Sequence, residues 1–223
     1  MNCHRYEIKF VCNSSSINNF YTLLLRHGFN RAYANRTINS IYFDDFQFSS
    51  VKENLAGVSD RKKFRLRWYG KLIHECVIEV KKRQGRLGSK DLYALNDIDA
   101  DINFINSNDL LNTISKSSKI DNHVLNQLFT RMPIMHISYS REYYAIGGIR
   151  ITIDSDINYR DLLNNSSIST AQPIFDRDIV VEIKFAIDDK ITVSNMLRNF
   201  DMIPKRHSKY VKGLAKLGYV KYI

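Results

Sequence analysis

Pairs of charged residues separated by a single position recur along this chain, and each pair is flanked by large apolar residues. The clearest examples are Glu7/Lys9, Arg65/Arg67, Glu79/Lys81 and Glu182/Lys184. Side chains at positions i and i+2 share one face of a β-strand, so each pair commits one strand face to charge while the opposite face stays apolar. The chain is therefore predicted to build a sheet with one ionic face and one apolar face.

Eight segments show this or a related strand pattern, and helical patterns lie between them. The predicted strands cover residues 5–11, 37–44, 61–69, 74–82, 87–93, 135–144, 149–156 and 179–187. The predicted helices cover residues 17–27, 46–55, 124–131, 192–200 and 211–217. Many antiparallel strands with helices between them indicate an α+β fold, here in a single domain spanning 1–223. The segment 96–122, rich in Asn, Asp and Ser, is expected to be a peripheral insertion of loop and short helix.

Two architectures satisfy a sheet with one ionic and one apolar face. In the simpler one, the ionic face lies in water and its charges form surface ion pairs. In the other, about eight strands close into a barrel with an ionic lumen, and helices cover the apolar exterior. A basic lumen repels itself unless it holds an anion, while carboxylates within it could bind a divalent metal. Polyphosphate with Mg²⁺ or Mn²⁺ satisfies both demands of the closed barrel, and at this point both architectures stay open.

The charge balance agrees with an anionic partner. The chain carries a net charge of +10, and its sequence pI is near 9.5. RNA-binding domains usually present aromatic platforms between exposed basic residues. Here a Glu stands two positions before a Lys in three of the strand pairs, which argues for a metal in the site and makes nucleic acid an unlikely partner.

The sequence lacks the motifs of several other kinds of functional site. The three cysteines include no C-x-x-C pair, which indicates a reducing cytoplasm and no cysteine metal site. No H-E-x-x-H, P-loop or G-x-S-x-G motif occurs. No apolar stretch approaches the ~18 residues of a membrane helix, and the N-terminus is too polar for a signal peptide. A cytoplasmic protein without a transmembrane segment is therefore expected.

Short motifs along most of the chain resemble those of a known family. They are Arg5-x-Glu7-x-Lys9, Ile41-Tyr42-Phe43-Asp44, Arg65-Leu66-Arg67-Trp68-Tyr69-Gly70, Glu79-Val80-Lys81, Arg141-Glu142-Tyr143-Tyr144, Arg150-Ile151-Thr152-Ile153-Asp154, Glu182-Ile183-Lys184 and Ser208-Lys209-Tyr210. In this order they resemble the VTC domain, the polyphosphate polymerase module of the vacuolar transporter chaperone complex. That domain is one of the CYTH-like triphosphate tunnel metalloenzymes. The resemblance runs from about Tyr6 to about Gly213, and the ordered set is more specific than any one motif.

The resemblance implies a tunnel barrel that binds ATP and transfers its γ-phosphate onto a growing inorganic polyphosphate chain, with Mn²⁺ or Mg²⁺. The implied phosphate ligands are Lys9, Arg65, Arg67, Lys81, Lys90, Arg141, Arg150, Lys184, Ser208 and Lys209. Among them, the implied catalytic residues are Arg65, Arg67, Lys81, Arg141 and Lys209. The implied metal ligand is Glu182, with Glu7 or Glu79 as a second contributor. Such phosphoryl transfer needs no protein nucleophile and depends on positioning and charge neutralisation.

One departure from the family pattern bears on the reaction. Triphosphatases of the family often begin Glu-x-Glu-x-Lys, whereas here Arg5 replaces the first Glu and removes one metal carboxylate. This favours a polymerase, but two alternatives stay open: a hydrolase of tripolyphosphate or nucleoside triphosphates, and a non-catalytic binder of polyanions. The fungal proteins carry membrane helices that this sequence lacks, so a separate membrane-protein partner is a further expectation.

Two smaller expectations concern an acidic pair and a basic strand residue. Asp44 and Asp45 follow a predicted strand and precede a predicted helix, so they are interpreted as a strand exit and helix cap and not as a metal site. Removing a basic lumen residue, as in Arg65→Ala, is expected to relieve charge repulsion and raise the melting temperature.

Overall fold

The computed structural model describes residues 5–70, 76–85, 87–95, 101–198, 200 and 202–221. Its strands are β1 (Arg5–Cys12), β2 (Asn30–Asp44), β3 (Asp60–Tyr69), β4 (Cys76–Gln84), β5 (Leu87–Leu95), β6 (Met132–Ile146), β7 (Ile149–Asp161), β8 (Pro173–Phe175) and β9 (Ile179–Ala186). Its helices are α1 (Ile17–Arg26), α2 (Ser49–Ala56), α3 (Ser107–Ser115), α4 (Asn122–Phe129), α5 (Lys190–Leu197) and α6 (Lys209–Lys216). Among the helices in the described part of the chain, none has the length and apolar character needed to cross a membrane.

The strands form one antiparallel sheet, hydrogen-bonded in the order β1-β9-β7-β6-β2-β3-β4-β5, with β8 paired to β7. The pairs β1/β9, β7/β9, β2/β3, β3/β4 and β4/β5 are antiparallel. The predicted α+β class with an antiparallel sheet is thus confirmed. The order is an open path in the part of the chain that the structure describes, so the closed barrel is not confirmed.

The chain forms two compact units, and the single domain over residues 1–223 stays a prediction. The first contains the described residues of Met1–Arg36, Tyr139–Ile157 and Phe175–His207. The second contains the described residues of Thr37–Ser138, Asn158–Ile174 and Ser208–Ile223. Each unit has its own cluster of buried apolar side chains, and β2, β6 and β7 run through both.

The core of the first unit lies on the apolar face of β1, β9 and β7. The strand register places Ile8 opposite Ile183, which in turn lies opposite Ile151. Helix α1 repeats buried apolar residues at helical spacing, and two of them, Phe20 and Leu24, pack into this cluster. Helix α5 adds further buried residues. The ionic residues of the three strands are therefore left on the opposite face.

The second unit repeats this arrangement on the apolar face of β2 to β5. The three alternating residues Phe64, Leu66 and Trp68 of β3 are buried there, and α3 and α4 cover them. Residues 101–122, within the segment predicted to be a peripheral insertion, supply four members of this cluster: Ile102, Leu110, Ile114 and Ile120. The spacings between these four residues do not follow a helical period, because only Leu110 and Ile114 lie within helix α3. Residues 96–100 of that prediction lie outside the described residues.

The described elements differ from the predicted ones mainly at their ends. Strand β2 begins at Asn30, seven residues before the predicted start, and its first eight residues are exposed. With both faces in solvent, that stretch has no apolar alternation for a pattern to detect. The short strand β8 was not predicted, and residues 74–75 and 199 of predicted elements lie outside the described part of the chain.

Candidate functional site

The ionic face of the first unit brings four predicted site residues into one cluster. Glu7 lies opposite Lys184, and Lys9 lies opposite Glu182, in adjacent strands. Lys9 Nζ is 2.8 Å from Glu7 Oε1 and 3.3 Å from Glu182 Oε2. Lys184 Nζ is 2.5 Å from Glu182 Oε1 and 3.5 Å from Glu7 Oε2. Two carboxylates and two ammonium groups thus alternate around a square.

The charges of this cluster shift the ionisation of its members. Burial opposes the ionisation of Glu182, but Lys9, Lys184 and Arg141 together lower its pKa to about 2. Burial and the charge of Glu182 raise the pKa of Glu7, yet Lys9 and Lys184 outweigh them and its pKa falls below the usual value. Burial likewise opposes the charge of Lys9, while both carboxylates leave its pKa raised. Both carboxylates and Lys9 are therefore ionised at neutral pH.

Arg141 is held on the same face by a buried carboxylate. Its Nε lies 2.5 Å from Asp154 Oδ1, and its Nη2 lies 2.8 Å from Asp154 Oδ2, a bidentate pair. The Asp154 side chain is only 1% exposed. Burial works against the guanidinium charge, but the Asp154 hydrogen bond raises the pKa of Arg141. Arg150, another predicted site residue of this unit, differs from Arg141 because it is exposed and lies opposite Lys184.

The ionic face of the second unit centres on a single carboxylate, Glu79, whose side chain is 6% exposed. Arg65 Nε donates to Glu79 Oε2 at 2.6 Å, and Arg65 Nη2 also contacts this oxygen. The other carboxylate oxygen lies 3.5 Å from Arg67 Nη1 and 3.7 Å from Lys90 Nζ. Lys81 is exposed and lies opposite Lys90 in the register. Three cations around one carboxylate leave this face with a positive excess.

Strand β2 contributes hydroxyl groups to this face. Arg65 Nη1 donates to the Tyr42 hydroxyl at 3.1 Å, and Arg67 Nε lies 3.5 Å from Ser40 Oγ. Burial raises the pKa of Tyr42, but Arg65, Arg67 and Lys63 lower it to about 8. Glu79 is likewise opposed by burial, and the same two arginines leave its pKa lowered. Tyr42 was not predicted as a site residue, although its alternation with Ser40 and Asp44 was visible in the sequence.

The Ser208-Lys209-Tyr210 motif forms the start of helix α6 in the second unit. Ser208 Oγ accepts the backbone N–H of Val211 at 3.5 Å and so caps the helix that Lys209 begins. The Tyr210 ring stacks on Tyr42 with centroids 4.7 Å apart, and its hydroxyl donates to Asp44. The motif thus attaches α6 to the Tyr42 side of β2, which brings Lys209 and the Arg65 cluster into the same unit.

A divalent metal fits the first unit better than the second. Among the described residues, no three His, Cys, Asp or Glu side chains are grouped as a metal site. Mg²⁺ nevertheless needs only one or two carboxylates when phosphates and waters complete its octahedron, and Glu7 and Glu182 offer two on adjacent strands. The Thr152 hydroxyl, opposite Glu182, is buried without a hydrogen-bond partner among the described residues. Glu79 is one carboxylate beside three cations, Arg65, Arg67 and Lys90. Glu7 and Glu182 are two carboxylates that share two cations, Lys9 and Lys184, so the repulsion of a metal ion is weaker there.

The chain is similar to proteins of one family and one fold group. The sequence pattern of the VTC domain matches residues 4–218. The Vacuolar transporter chaperone complex subunit 2 of Saccharomyces cerevisiae is 22% identical over 91% of this chain, which spans 31% of that relative. A putative adenylyl cyclase of Hippeastrum, described as having a dominant triphosphatase activity, shares the fold with a TM-score of 0.59 and 14% identity over 98% of both chains.

A second solved structure, a putative adenylate cyclase of Bacillus halodurans, has a TM-score of 0.54 and 14% identity, over 91% of this chain and 93% of its own. At such identities the two structures show the fold alone. The family pattern covers nearly the whole chain. The chain therefore belongs to the VTC domain family.

Proposed function

We propose that this VTC domain is a metal-dependent phosphotransferase, a polyphosphate polymerase that moves the γ-phosphate of ATP onto a growing inorganic polyphosphate chain. One observation carries the proposal: within each unit, the ionic residues of neighbouring strands stand side by side on one sheet face. On a sheet face that binds no ligand, the charged residues would be expected to pair with opposite charges in water, and each such pair stabilises the fold by only about 0–1 kcal/mol. The second unit instead holds Arg65, Arg67 and Lys90 around one carboxylate, an excess suited to anions.

The basic side chains divide by the unit to which they belong. In the second unit, Arg65, Arg67, Lys81, Lys90 and Lys209 bind and orient phosphate groups, with Ser208 fixing the helix from which Lys209 projects. In the first unit, Lys9, Arg141, Arg150 and Lys184 take this role. Arginine suits it because its planar guanidinium donates to two phosphate oxygens at once. The attacking atom is an oxygen of the acceptor phosphate, so these residues act by positioning and by neutralising negative charge.

Glu182 and Glu7 are the residues that would hold Mg²⁺ or Mn²⁺. When bound, such an ion neutralises charge on the transferring phosphoryl group. The ion pairs with Lys9 and Lys184 keep both carboxylates ionised and aligned. The yeast relative is a subunit of the vacuolar transporter chaperone complex. By analogy, we propose that the present chain also binds a protein partner, and a membrane protein is one candidate.

Hydrolysis of tripolyphosphate or nucleoside triphosphates is the second candidate. It is favoured by the likeness to the Hippeastrum protein described as having triphosphatase activity. Arg5 stands where that reaction would be served by a third carboxylate, which keeps hydrolysis in second place. A non-catalytic polyanion binder is the third candidate.

Product analysis separates the three candidates. The purified chain is incubated with ATP and Mn²⁺ or Mg²⁺, and the products are separated by gel electrophoresis. Long phosphate chains identify a polymerase, free phosphate identifies a hydrolase, and unchanged ATP leaves the binder. A matched pair of variants assigns the face: Lys81→Gln should lower turnover, whereas Lys82→Gln, one residue along β4 and on its other face, should not. Equal losses in both would contradict the assignment.

A further inference from the structure

Like charges stand directly opposite each other at one end of the β3–β4 pair. Arg61 lies opposite Arg83, Lys62 opposite Lys82 and Lys63 opposite Lys81. Directly opposed like charges destabilise a sheet pair. Three consecutive pairs of this kind oppose folding, and such conflicts between local chemistry and stability are expected where a protein has a functional site.

The charged side chains on the two faces of these strands have different partners. On the face covered by α3 and α4, Lys82 Nζ lies 2.6 Å from Asp91 Oδ2, and Lys62 Nζ donates to Gln127 Oε1 at 3.4 Å. Arg61 and Arg83 lie on the opposite face, which also carries Arg65. The charges on the covered face therefore have polar partners close at hand.

Arg61 and Arg83 are held by backbone carbonyls. Arg61 Nη1 donates to Val58 O, and Arg83 Nε donates to Gly85 O at 3.1 Å. Within the described ranges, neither guanidinium forms an ion pair with a carboxylate. Burial and the charge of Arg83 lower the pKa of Arg61, and Glu53 offsets part of this effect. Each side chain thus has a backbone partner, while its charge stays open to an anion.

We propose that the Arg61–Arg83 pair is a second anion-binding subsite, which takes the distal part of a phosphate chain whose proximal part binds at Arg65. This inference rests on the proposed function. Arg61 and Arg65 are four residues apart along β3, about 13 Å in an extended strand. A triphosphate group bound at Arg65 is shorter than this separation, whereas a longer inorganic polyphosphate extends along the strand past Lys63 and Lys81 to Arg61. The subsite therefore distinguishes a chain substrate from a triphosphate.

Calorimetric titration of the full chain with two probes, tripolyphosphate and long-chain polyphosphate, tests this subsite. The variant is Arg61→Gln/Arg83→Gln. The matched control is Lys62→Gln/Lys82→Gln, which removes the same charge from the same two strands on the other face. We expect the arginine variant to bind long chains about tenfold more weakly, with the slope of log affinity against log salt reduced by roughly one to two. Tripolyphosphate affinity should stay within about twofold in both variants.

Three results would overturn the inference. If both double variants weakened long-chain binding equally, the effect would come from net charge and not from the Arg61–Arg83 pair. If the arginine variant weakened the binding of both probes equally, the pair would be part of the Arg65 site and not a second subsite. Single-stranded RNA that binds more tightly than polyphosphate through the same arginines would assign the pair to nucleic acid. Failure of the unaltered chain to bind tripolyphosphate is a different result, which counts against the proposed function. The single variant Arg83→Gln, at an exposed position, repeats the test with less change to the strand pair.

Discussion

The hydroxyl of Tyr210 donates to the carboxylate of Asp44, which joins the last helix of the second unit to the end of β2. Asp44 is 0% exposed, and its oxygens also accept the backbone N–H groups of Ser50 at 3.0 Å and Val51 at 3.3 Å. One buried carboxylate therefore satisfies the first turn of α2 and anchors α6. Asp45 Oδ1 accepts the backbone N–H of Ser49 at 2.9 Å, so both aspartates accept hydrogen bonds from the first turn as predicted, although the N-cap position itself is Phe48.

We predict that Tyr210→Phe lowers the free energy of unfolding by about 1.5–3 kcal/mol, because a buried hydrogen bond to a charged group is lost. Urea denaturation followed by circular dichroism measures the change. Tyr219→Phe is the matched control, since Tyr219 donates to the less buried Asp161 and should cost less. An equal loss in the two variants would contradict the special role of the Asp44 contact.

The alternation of charged and apolar residues was enough to predict the ionic strand faces. Residues two apart must share a face, so the side-by-side placement of Glu7 and Lys9, or of Arg65 and Arg67, follows from backbone geometry alone. Which strand lies next to which does not follow, because register depends on contacts between distant segments. The ion pair of Arg65 with Glu79 could be named only once β3 and β4 were aligned.

Contacts between residues far apart in the chain could not be predicted, even where the residues themselves stand in a recognised motif. Tyr42 and Tyr210 stack only because α6 returns to β2 after more than 160 residues, and no local pattern encodes that return. Gly213 is similar: a Cβ at this position would lie 2.5 Å from both Met135 Sδ and Tyr159 Cδ1, so α6 can approach the strands closely only with glycine there.

The ion pair between Arg65 and Glu79 reverses one expectation. Charge repulsion alone predicted a higher melting temperature for Arg65→Ala. In the structure, Arg65 is the closest partner of the buried Glu79 carboxylate, and breaking a buried pair costs up to about 3–5 kcal/mol. We now expect a loss of about 1–3 kcal/mol, because Arg67 and Lys90 still neutralise part of the charge.

Chemical denaturation of Arg65→Ala and of the double variant Arg65→Ala/Glu79→Ala measures this effect. The double variant should recover part of the loss, since it removes the carboxylate that the single variant leaves under-compensated. A rise in stability in the single variant would restore the repulsion argument.

The low pKa of Glu182 predicts how stability depends on pH. A carboxyl whose pKa is about 2 in the folded protein, against 4.5 for the free group, stabilises the fold above about pH 4.5. This contribution is lost as the pH falls from about 4.5 towards 2, and its full size is on the order of 3 kcal/mol. Glu182→Gln should therefore flatten the stability curve in this window.

Urea midpoints at about pH 3 and pH 6 measure this slope in the unaltered chain and in Glu182→Gln. If Glu182→Gln kept the slope of the unaltered chain, the ion pairs of Glu182 with Lys9 and Lys184 would not be formed in solution.

The phenol of Tyr42 offers a spectroscopic report on the candidate anion site. Its pKa of about 8 lies below the ordinary value of 10, because Arg65, Arg67 and Lys63 outweigh the effect of burial. Ultraviolet absorbance during a pH titration should show one tyrosine ionising near pH 8, and Tyr42→Phe should remove that step. Tyr33→Phe, at an exposed position, should leave it in place.

Tripolyphosphate bound at Arg65 and Arg67 should raise the pKa of Tyr42, because the anion cancels the positive charge that favours the phenolate. A titration that is the same with and without tripolyphosphate would mean that the anion does not bind beside these arginines.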